Sequence, residues 1–277
     1  MSLFNFIQNA LKEDVGSGDH TSLACIPADA KSKAKLIVKE DAILAGVDIA
    51  LEIFKVVDSS LKVEVLINDG KAVKKGDIAF IVEGSSQKIL TAERLVLNCM
   101  QRMSGIATLT NEAANLIKDL PCKLLDTRKT TPGFRLLEKM AVKIGGGENH
   151  RFGLFDMMMI KDNHVDYAGG IKNAIERCVE YQKQNKLNLK IEIETRNIDE
   201  VNQVLAIGKI DRIMLDNFSP ENLTAAVKLI NNRYETEASG GITNETLRNY
   251  ALTGVNFISM GALTHSAKNI DLSLKAF

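Results

Sequence analysis

"LKIEIETRNIDEVNQVLAIGKIDRIMLDN", residues 189–217, decides the fold class. Two short runs in it, "LKIEIET" (189–195) and "RIMLDN" (212–217), read as strands. Between them "NIDEVNQVLAIG" (197–208) carries apolar residues at i, i+3 and i+4 and opens on Asn197, a good helix-capping residue. A strand, a helix and a second strand within about 30 residues form a βα repeat, and such repeats make parallel strands buried on both faces.

The same alternation extends in both directions. "CKLLDT" (122–127), "DMMMIKD" (156–162), "YETEASG" (234–240) and "NFISMGA" (256–262) read as further strands. "YAGGIKNAIERCVEYQKQN" (167–185), "SPENLTAAVKLINN" (219–232) and "TNETLRNYALTG" (243–254) read as helices, the last two capped by Ser219 and Thr243. Six strands are clear, and a seventh, weak one is conceivable in "MAVKIGGG" (140–147). An open doubly wound sheet and a closed barrel both fit this count. The first hundred residues differ. A helical spacing over Leu3–Leu11 is followed by "KAKLIVKEDAILAG" (33–46) and "LKVEVLINDGKAVKKGDIAFIVEG" (61–84), where alternating runs flank the turn signal "NDG". A long helix then starts near "TAERLVLN". This predicts a mixed α/β first domain joined by helices to the second.

The bulk composition excludes several function classes. The chain has 277 residues, 45% apolar and 25% charged, with 35 basic and 35 acidic side chains. A zero balance gives no general attraction to nucleic acid or an acidic membrane, so neither is expected as a partner. No apolar run approaches the roughly 20 residues of a membrane span. Cys25, Cys99, Cys122 and Cys178 show no C-x-x-C spacing. They read as free thiols rather than zinc ligands, which predicts a reducing, cytoplasmic setting.

The chemistry collects at the carboxyl ends of the predicted strands, the face where parallel α/β folds bind ligands. In order these positions carry Asp126 with Arg128 and Lys129; Lys161, Asp162, Asn163 and His164; Glu192 and Glu194; Asp216 and Asn217; Ser239, Gly240 and Gly241; and Gly261. Arg128, Lys129, Arg151 and Lys161, with His150 beside them, form a basic half suited to carboxylate or phosphate. Each charge-assisted bond there contributes about 1.5–3 kcal/mol. Glu194 and Asp216 form an acidic half suited to Mg²⁺ bridged to phosphate. The small residues of "ASGG" and "MGA" let backbone N–H groups approach a phosphate. Taken singly, Arg128 and Lys129 read as a solvated loop, His150 as a structural histidine and Asp216 as a helix cap. Glu192 shares a face with Glu194, and whether it reaches the site stays open. The joint placement points to a polyanionic substrate.

"DTRKTTPGFR" (126–135), "GGGENHRFGL" (145–154), "IKDNHV" (160–165), "IMLDNF" (213–218), "EASGGI" (237–242) and "GALTHS" (261–266) follow one another in the order and spacing of the quinolinate phosphoribosyltransferases. "EDVGSGDHTS" (13–22) and "LTAERLVLN" (90–98) also resemble that family, so the resemblance covers essentially the whole chain. It implies an N-terminal open-faced α/β sandwich over residues 1–110, rejoined by the tail 266–277, and an incomplete TIM-like α/β barrel over 111–265. It implies transfer of phosphoribosyl from phosphoribosyl pyrophosphate (PRPP) to quinolinate with Mg²⁺, giving nicotinate mononucleotide, pyrophosphate and CO₂ in NAD biosynthesis. Arg128, His150, Arg151 and Lys161 would hold quinolinate. Arg94 would complete the site of the neighbouring subunit in a homodimer, which in turn is open to assembly as a hexamer. Lys129, Glu194 and Asp216 would serve PRPP and Mg²⁺, and Ser239, Gly240 and Gly261 the ribose 5-phosphate, while whether His265 reaches that phosphate stays open. Lys129, Lys161, Glu194 and Asp216 are the implied catalytic set. The acidic PRPP signature of the commoner phosphoribosyltransferases is missing, as the family implies. Three rivals remain weighed against this reading: a same-fold paralogue with another ring substrate, a nicotinate phosphoribosyltransferase, and a silent metabolite-binding protein.

Overall fold

A computed structural model of the chain describes residues 2–277. It divides into two compact units. The first holds the chain up to Asn111, Thr130–Gly146 and Leu263–Phe277; the second holds Glu112–Lys129 and Gly147–Ala262. The Thr130–Gly146 segment, expected in the barrel, thus groups with the first unit.

In the first unit, helices α1 (Leu3–Val15) and α2 (His20–Cys25) precede strands β1 (Lys31–Val38) and β2 (Ala42–Ile43). Helix α3 (Val47–Val57), strands β3 (Lys62–Val65), β4 (Ala72–Val73) and β5 (Ile78–Ser85), and the 31-residue helix α4 (Ser86–Leu116) follow. Strand β12 (Leu272–Ala276) comes from the other end of the chain. The four longer strands form an antiparallel sheet in the order β12-β1-β5-β3. Alternation in β1 puts Ala34, Leu36 and Val38 in the core. Helix α3 buries Ile49, Ala50, Ile53 and Phe54, and Phe54 meets Phe80 of β5 edge to face at 5.8 Å. The opposite face carries charged residues such as the exposed Lys33–Glu83 pair at 2.9 Å. One covered and one wet face make this an open-faced sandwich.

"MAVKIGGG" is not a strand. Its first five residues close helix α5 (Arg135–Ile144), because Leu137, Ala141 and Ile144 recur at helical spacing. Buried Glu138 of α5 accepts two bonds from Arg102 of α4, Nε at 3.0 Å and Nη2 at 2.9 Å. Its other bonds come from the Thr131 backbone N–H (3.0 Å) and hydroxyl (2.9 Å). Arg102 also donates to the carbonyls of Thr264 and Ala267. One ion pair therefore holds together all three chain segments of this unit.

The second unit is a six-stranded, all-parallel sheet. Its strands are β6 (Lys123–Leu125), β7 (Met158–Ile160), β8 (Ile191–Thr195), β9 (Arg212–Asp216), β10 (Glu235–Ser239) and β11 (Phe257–Ser259). They are connected through helices α6 (Asp162–Ala168), α7 (Ile171–Asn185), α8 (Ile198–Ile207), α9 (Pro220–Ile230) and α10 (Asn244–Ala251). Asn197 and Ser219 cap α8 and α9 with their side chains, as the sequence predicts. The strand order is β6-β11-β10-β9-β8-β7. Chain-consecutive β6 and β7 therefore lie at opposite edges. Glu148, beyond β6, still bridges to Leu125, and two residues later His150 reaches Glu192 of β8 at 2.9 Å. With strands about 4.8 Å apart, a flat sheet would hold β6 and β8 far apart. The sheet is curled into a barrel that lacks strands between β6 and β7. Among the described residues no helix is long and apolar enough to cross a membrane.

Candidate active site

The curled sheet brings the strand ends of the second unit together. Lys161, which follows β7, caps α6; its Nζ lies 2.9 Å from Oε2 of Glu194 on β8. On β9, burial and then the neighbouring Glu194 charge push the Asp216 carboxyl above its ordinary value. Register places Ser239 of β10 beside Asp216. The chain then turns through Gly240 at φ 102° and Gly241 at φ 59°, both positive. An added Cβ on Gly240 would stand 2.9 Å from the Asn217 backbone nitrogen, so only glycine fits. Asn217, itself at φ 56°, donates from Nδ2 to Asp216 Oδ2 at 2.6 Å and from its backbone N–H to the Ser239 carbonyl at 2.8 Å.

Arg128, Lys129 and Arg151 stand on the segments that follow β6 and precede β7. Burial and then the charge of Arg128 lower the Arg151 pKa, so the two guanidinium groups stand close enough to repel. Arg151 donates to the Met157 carbonyl at 3.3 Å. Asp156 folds the intervening loop by accepting the N–H groups of Phe152 (2.6 Å) and Gly153 (2.8 Å). Lys129 is exposed, its N–H bonded to Thr127 Oγ1 at 3.0 Å. Gly261 is half-buried after β11.

His150 sits differently from the other basic residues. Its ring is turned into the barrel, with Nε2 at 2.9 Å from Glu192 and 3.3 Å from Glu237 of β10. Its Nδ1 accepts the Arg151 N–H at 2.7 Å. Its own N–H donates to buried Asp126 at 2.8 Å. Burial disfavours a charged ring, but the two carboxylates outweigh it and pull the pKa up to about 9. A ring protonated on both nitrogens cannot accept the Arg151 N–H, so this contact is given up as the ring takes its second proton. Burial and then the Glu237 charge push the Glu192 carboxyl above its ordinary value. Glu192 thus points inward, but its contacts are with His150 and Arg212 rather than with the residues of the acidic half.

Arg212 completes this interior layer. It bonds Glu237 at 2.9 Å and Glu235 at 3.1 Å and lies 4.0 Å above the Phe257 ring. Arg212 and Glu237 are absent from the predicted site residues, although "YETEAS" places Glu235 and Glu237 at the period-2 spacing of one strand face; Asp126 stands on the predicted ligand face without an assigned role. Arg94 is exposed on α4 of the first unit, and exposed His265 also groups there, its Nδ1 2.8 Å from Ser266 Oγ.

The geometry offers a pair of repelling arginines, a lysine clamped on a carboxylate, a second carboxylate of raised pKa and a glycine turn. Comparison with known proteins gives a matching picture. The quinolinate phosphoribosyl transferase N-terminal domain matches residues 19–104, and the C-terminal domain of the same family matches residues 106–275. The chain is 52% identical over 284 aligned positions to the chloroplastic nicotinate-nucleotide pyrophosphorylase (carboxylating) of Arabidopsis thaliana, covering 97% of this chain and 81% of that one. It is 51% identical to the mitochondrial quinolinate phosphoribosyltransferase (decarboxylating) 2 of Nicotiana glauca, covering 97% and 80%. The solved nicotinate-nucleotide pyrophosphorylase of Francisella tularensis superposes with a TM-score of 0.91 at 42% identity, covering 99% of this chain and 96% of that one.

Proposed function

The chain belongs to the quinolinate phosphoribosyltransferase family, a family of pentosyltransferases, and we propose that it transfers phosphoribosyl from PRPP to quinolinate with loss of CO₂, using Mg²⁺. The observation that carries this reading is that Arg128 and Arg151 stand near enough for their charges to act on one another, on the same unit as the Lys161–Glu194 contact.

Quinolinate carries two carboxylates on adjacent ring carbons. Arg128 and Arg151 suit them as planar, two-pronged donors, and Lys161 adds a third cation. A monocarboxylate such as nicotinate would leave part of this charge unanswered. Arg94, exposed on α4, serves the site of a second copy of the chain in a dimer.

Glu194 and Asp216 fit Mg²⁺. Both offer hard oxygen donors at the carboxyl ends of adjacent strands, and burial followed by the charge of Glu194 holds the Asp216 carboxyl above its ordinary value. When bound there, the ion supplies charge neutralisation for the pyrophosphate leaving group. Lys129 stabilises the same negative charge, and the backbone of Ser239, Gly240 and Gly261 receives the 5-phosphate. The ring nitrogen forms its bond to ribose C1 as the C1–oxygen bond to pyrophosphate breaks. Positioning of nitrogen against carbon supplies much of the rate. The N-alkylated ring then accepts the electron pair released as the adjacent carboxylate departs as CO₂, and a proton takes that ring position. No covalent bond to the protein is required. The four free cysteines suit a reducing compartment such as the cytoplasm.

The test is an assay with quinolinate, PRPP and Mg²⁺ that follows CO₂ and nicotinate mononucleotide together, with nicotinate as control. Stoichiometric products from quinolinate and none from nicotinate are expected. A folded protein giving no product from quinolinate would overturn the assignment and favour a paralogue with another ring substrate.

A further inference from the structure

Resting on that reading, we infer that Asp126 is a positioning residue that fixes the spacing of Arg128 and Arg151, and with it the preference for two carboxylates on adjacent ring carbons. Asp126 is fully buried just beyond β6. It stands two residues before Arg128, and its partner His150 stands one before Arg151. The two arms that carry the arginines therefore meet at this carboxylate.

How they meet is set by a strand ladder that stops short. Glu148 pairs with Leu125 in parallel register. The Glu148 N–H donates to the Leu124 carbonyl at 2.7 Å, and the Asp126 N–H donates to the Glu148 carbonyl at 3.1 Å. Lys123 and Glu148 pair at 2.7 Å through their side chains and support the same register. The next rung of a parallel ladder would run from the His150 N–H to the Asp126 carbonyl, and from the Arg128 N–H to the His150 carbonyl. Here the His150 N–H goes to the Asp126 side chain, Oδ1, at 2.8 Å. The carboxylate stands in for its own backbone at the last rung. The ladder ends there, yet the buried N–H keeps a partner.

That ending serves the substrate. Arms that stayed paired would run on as neighbouring strands about 4.8 Å apart and press two like charges together. The arms part at Asp126, so each guanidinium is free to take its own carboxylate, while the charges still stand near enough to act on one another. Without the tie, the two arms would drift apart and binding would have to draw them back. An apolar side chain at 126 would also leave the His150 N–H buried and unmet. His150 contributes its peptide N–H, so the tie is the same whatever charge its ring carries.

Benzene-1,2-dicarboxylate and benzene-1,3-dicarboxylate differ only in carboxylate spacing and, lacking a ring nitrogen, cannot react. Each is titrated against the full chain as a competitor of quinolinate. Wild type should bind the 1,2 isomer at least about tenfold more tightly, and equal binding would overturn the inference. Asp126→Ala should bring the two isomers within about threefold of each other, with the KM for PRPP within about twofold of wild type. Asp126→Asn keeps an acceptor oxygen at the same reach and should keep the wild-type preference. A purely structural role would lower the melting midpoint of Asp126→Ala and leave its preference unchanged, which would overturn the inference. In an Arg151→Ala background, the added Asp126→Ala should raise the quinolinate KM no further; fully additive losses would also overturn it. Should Asp126→Ala fail to fold, hydrogen exchange of the wild-type protein decides. Without any ligand, the His150 amide should exchange about as slowly as the Glu148 amide, and exchange at the rate of an open loop would overturn the tie. Wild-type activity on quinolinate is measured first: its absence defeats the functional reading itself, whereas normal activity with equal binding of the two isomers defeats only this inference.

Discussion

Gly240→Ala puts the acidic half of the site under a defined load. The added Cβ would lie 2.2 Å from Asn217 Oδ1, 2.6 Å from its Cγ and 2.9 Å from its backbone nitrogen. Rotation of the Asn217 side chain relieves the first two contacts and not the third. That rotation also removes the 2.6 Å bond from Asn217 Nδ2 to Asp216. A non-glycine residue at positive φ costs about 1–2 kcal/mol. Loss of a hydrogen bond to a charged group costs about 1.5–3 kcal/mol. The variant should therefore lose about 2.5–5 kcal/mol locally, concentrated where Asp216 is held. A shift of about 1 Å in a positioned group can cost on the order of 10²-fold in rate. Initial rates against PRPP at saturating quinolinate, paired with a thermal melt, measure both effects. We expect kcat/KM for PRPP to fall about a hundredfold, with the melt lowered but still cooperative. A value within about threefold of wild type, with an unchanged melt, would refute the claim that the glycine turn seats Asp216.

Other perturbations probe separate parts of the molecule. In Gly105→Ala the new Cβ would meet the Lys268 carbonyl oxygen at 1.9 Å, so the returning tail must move; urea titration should show a loss of about 1–3 kcal/mol, and unchanged stability would mean that the tail yields freely. Arg102→Ala leaves fully buried Glu138 without its guanidinium and should cost about 3–5 kcal/mol in the same assay, a cost below about 1 kcal/mol contradicting its place at the junction of three segments. Burial pushes the Cys99 and Cys122 thiols up to about 12, whereas Cys25 is exposed. An aromatic disulfide reagent at pH 8 should therefore label Cys25 first and reach Cys99 and Cys122 only on unfolding, and rapid labelling of either would contradict their burial. Mixed Arg94→Ala and Lys161→Ala subunits should recover about a quarter of wild-type activity through heterodimers carrying one intact site; no recovery would count against a site shared between copies.

The barrel was legible because its strands announce themselves twice, by short apolar runs and by the capped helices between them. Asn197 and Ser219 cap where expected, and the alternation in "IEIET" correctly put Glu192 and Glu194 on one face. Local patterns could not reveal which of two same-face acids meets His150 and which meets Lys161. That depends on how far the sheet curls, which no single segment encodes. Arg212 and Glu237 were missed for the same reason: alternate charges along a strand ordinarily read as a wet face, and only pairing across β8, β9 and β10 makes them an interior layer. The segment Thr130–Gly146 follows a strand of the barrel yet groups with the sandwich, because Glu138 pairs with Arg102, 36 residues earlier, and Arg102 in turn donates to the carbonyls of Thr264 and Ala267.

The order β12-β1-β5-β3 has a consequence for how the chain is made. On the ribosome, β5 becomes available soon after β1, but β12 emerges about 230 residues later. At common elongation rates the outer edge of β1 stays unpaired for on the order of ten to fifty seconds. An unpaired edge is a template for joining another nascent chain. Lys31, Lys33 and Lys35 recur along that strand on one face, and their charge guards it against such joining while the last strand is still being translated.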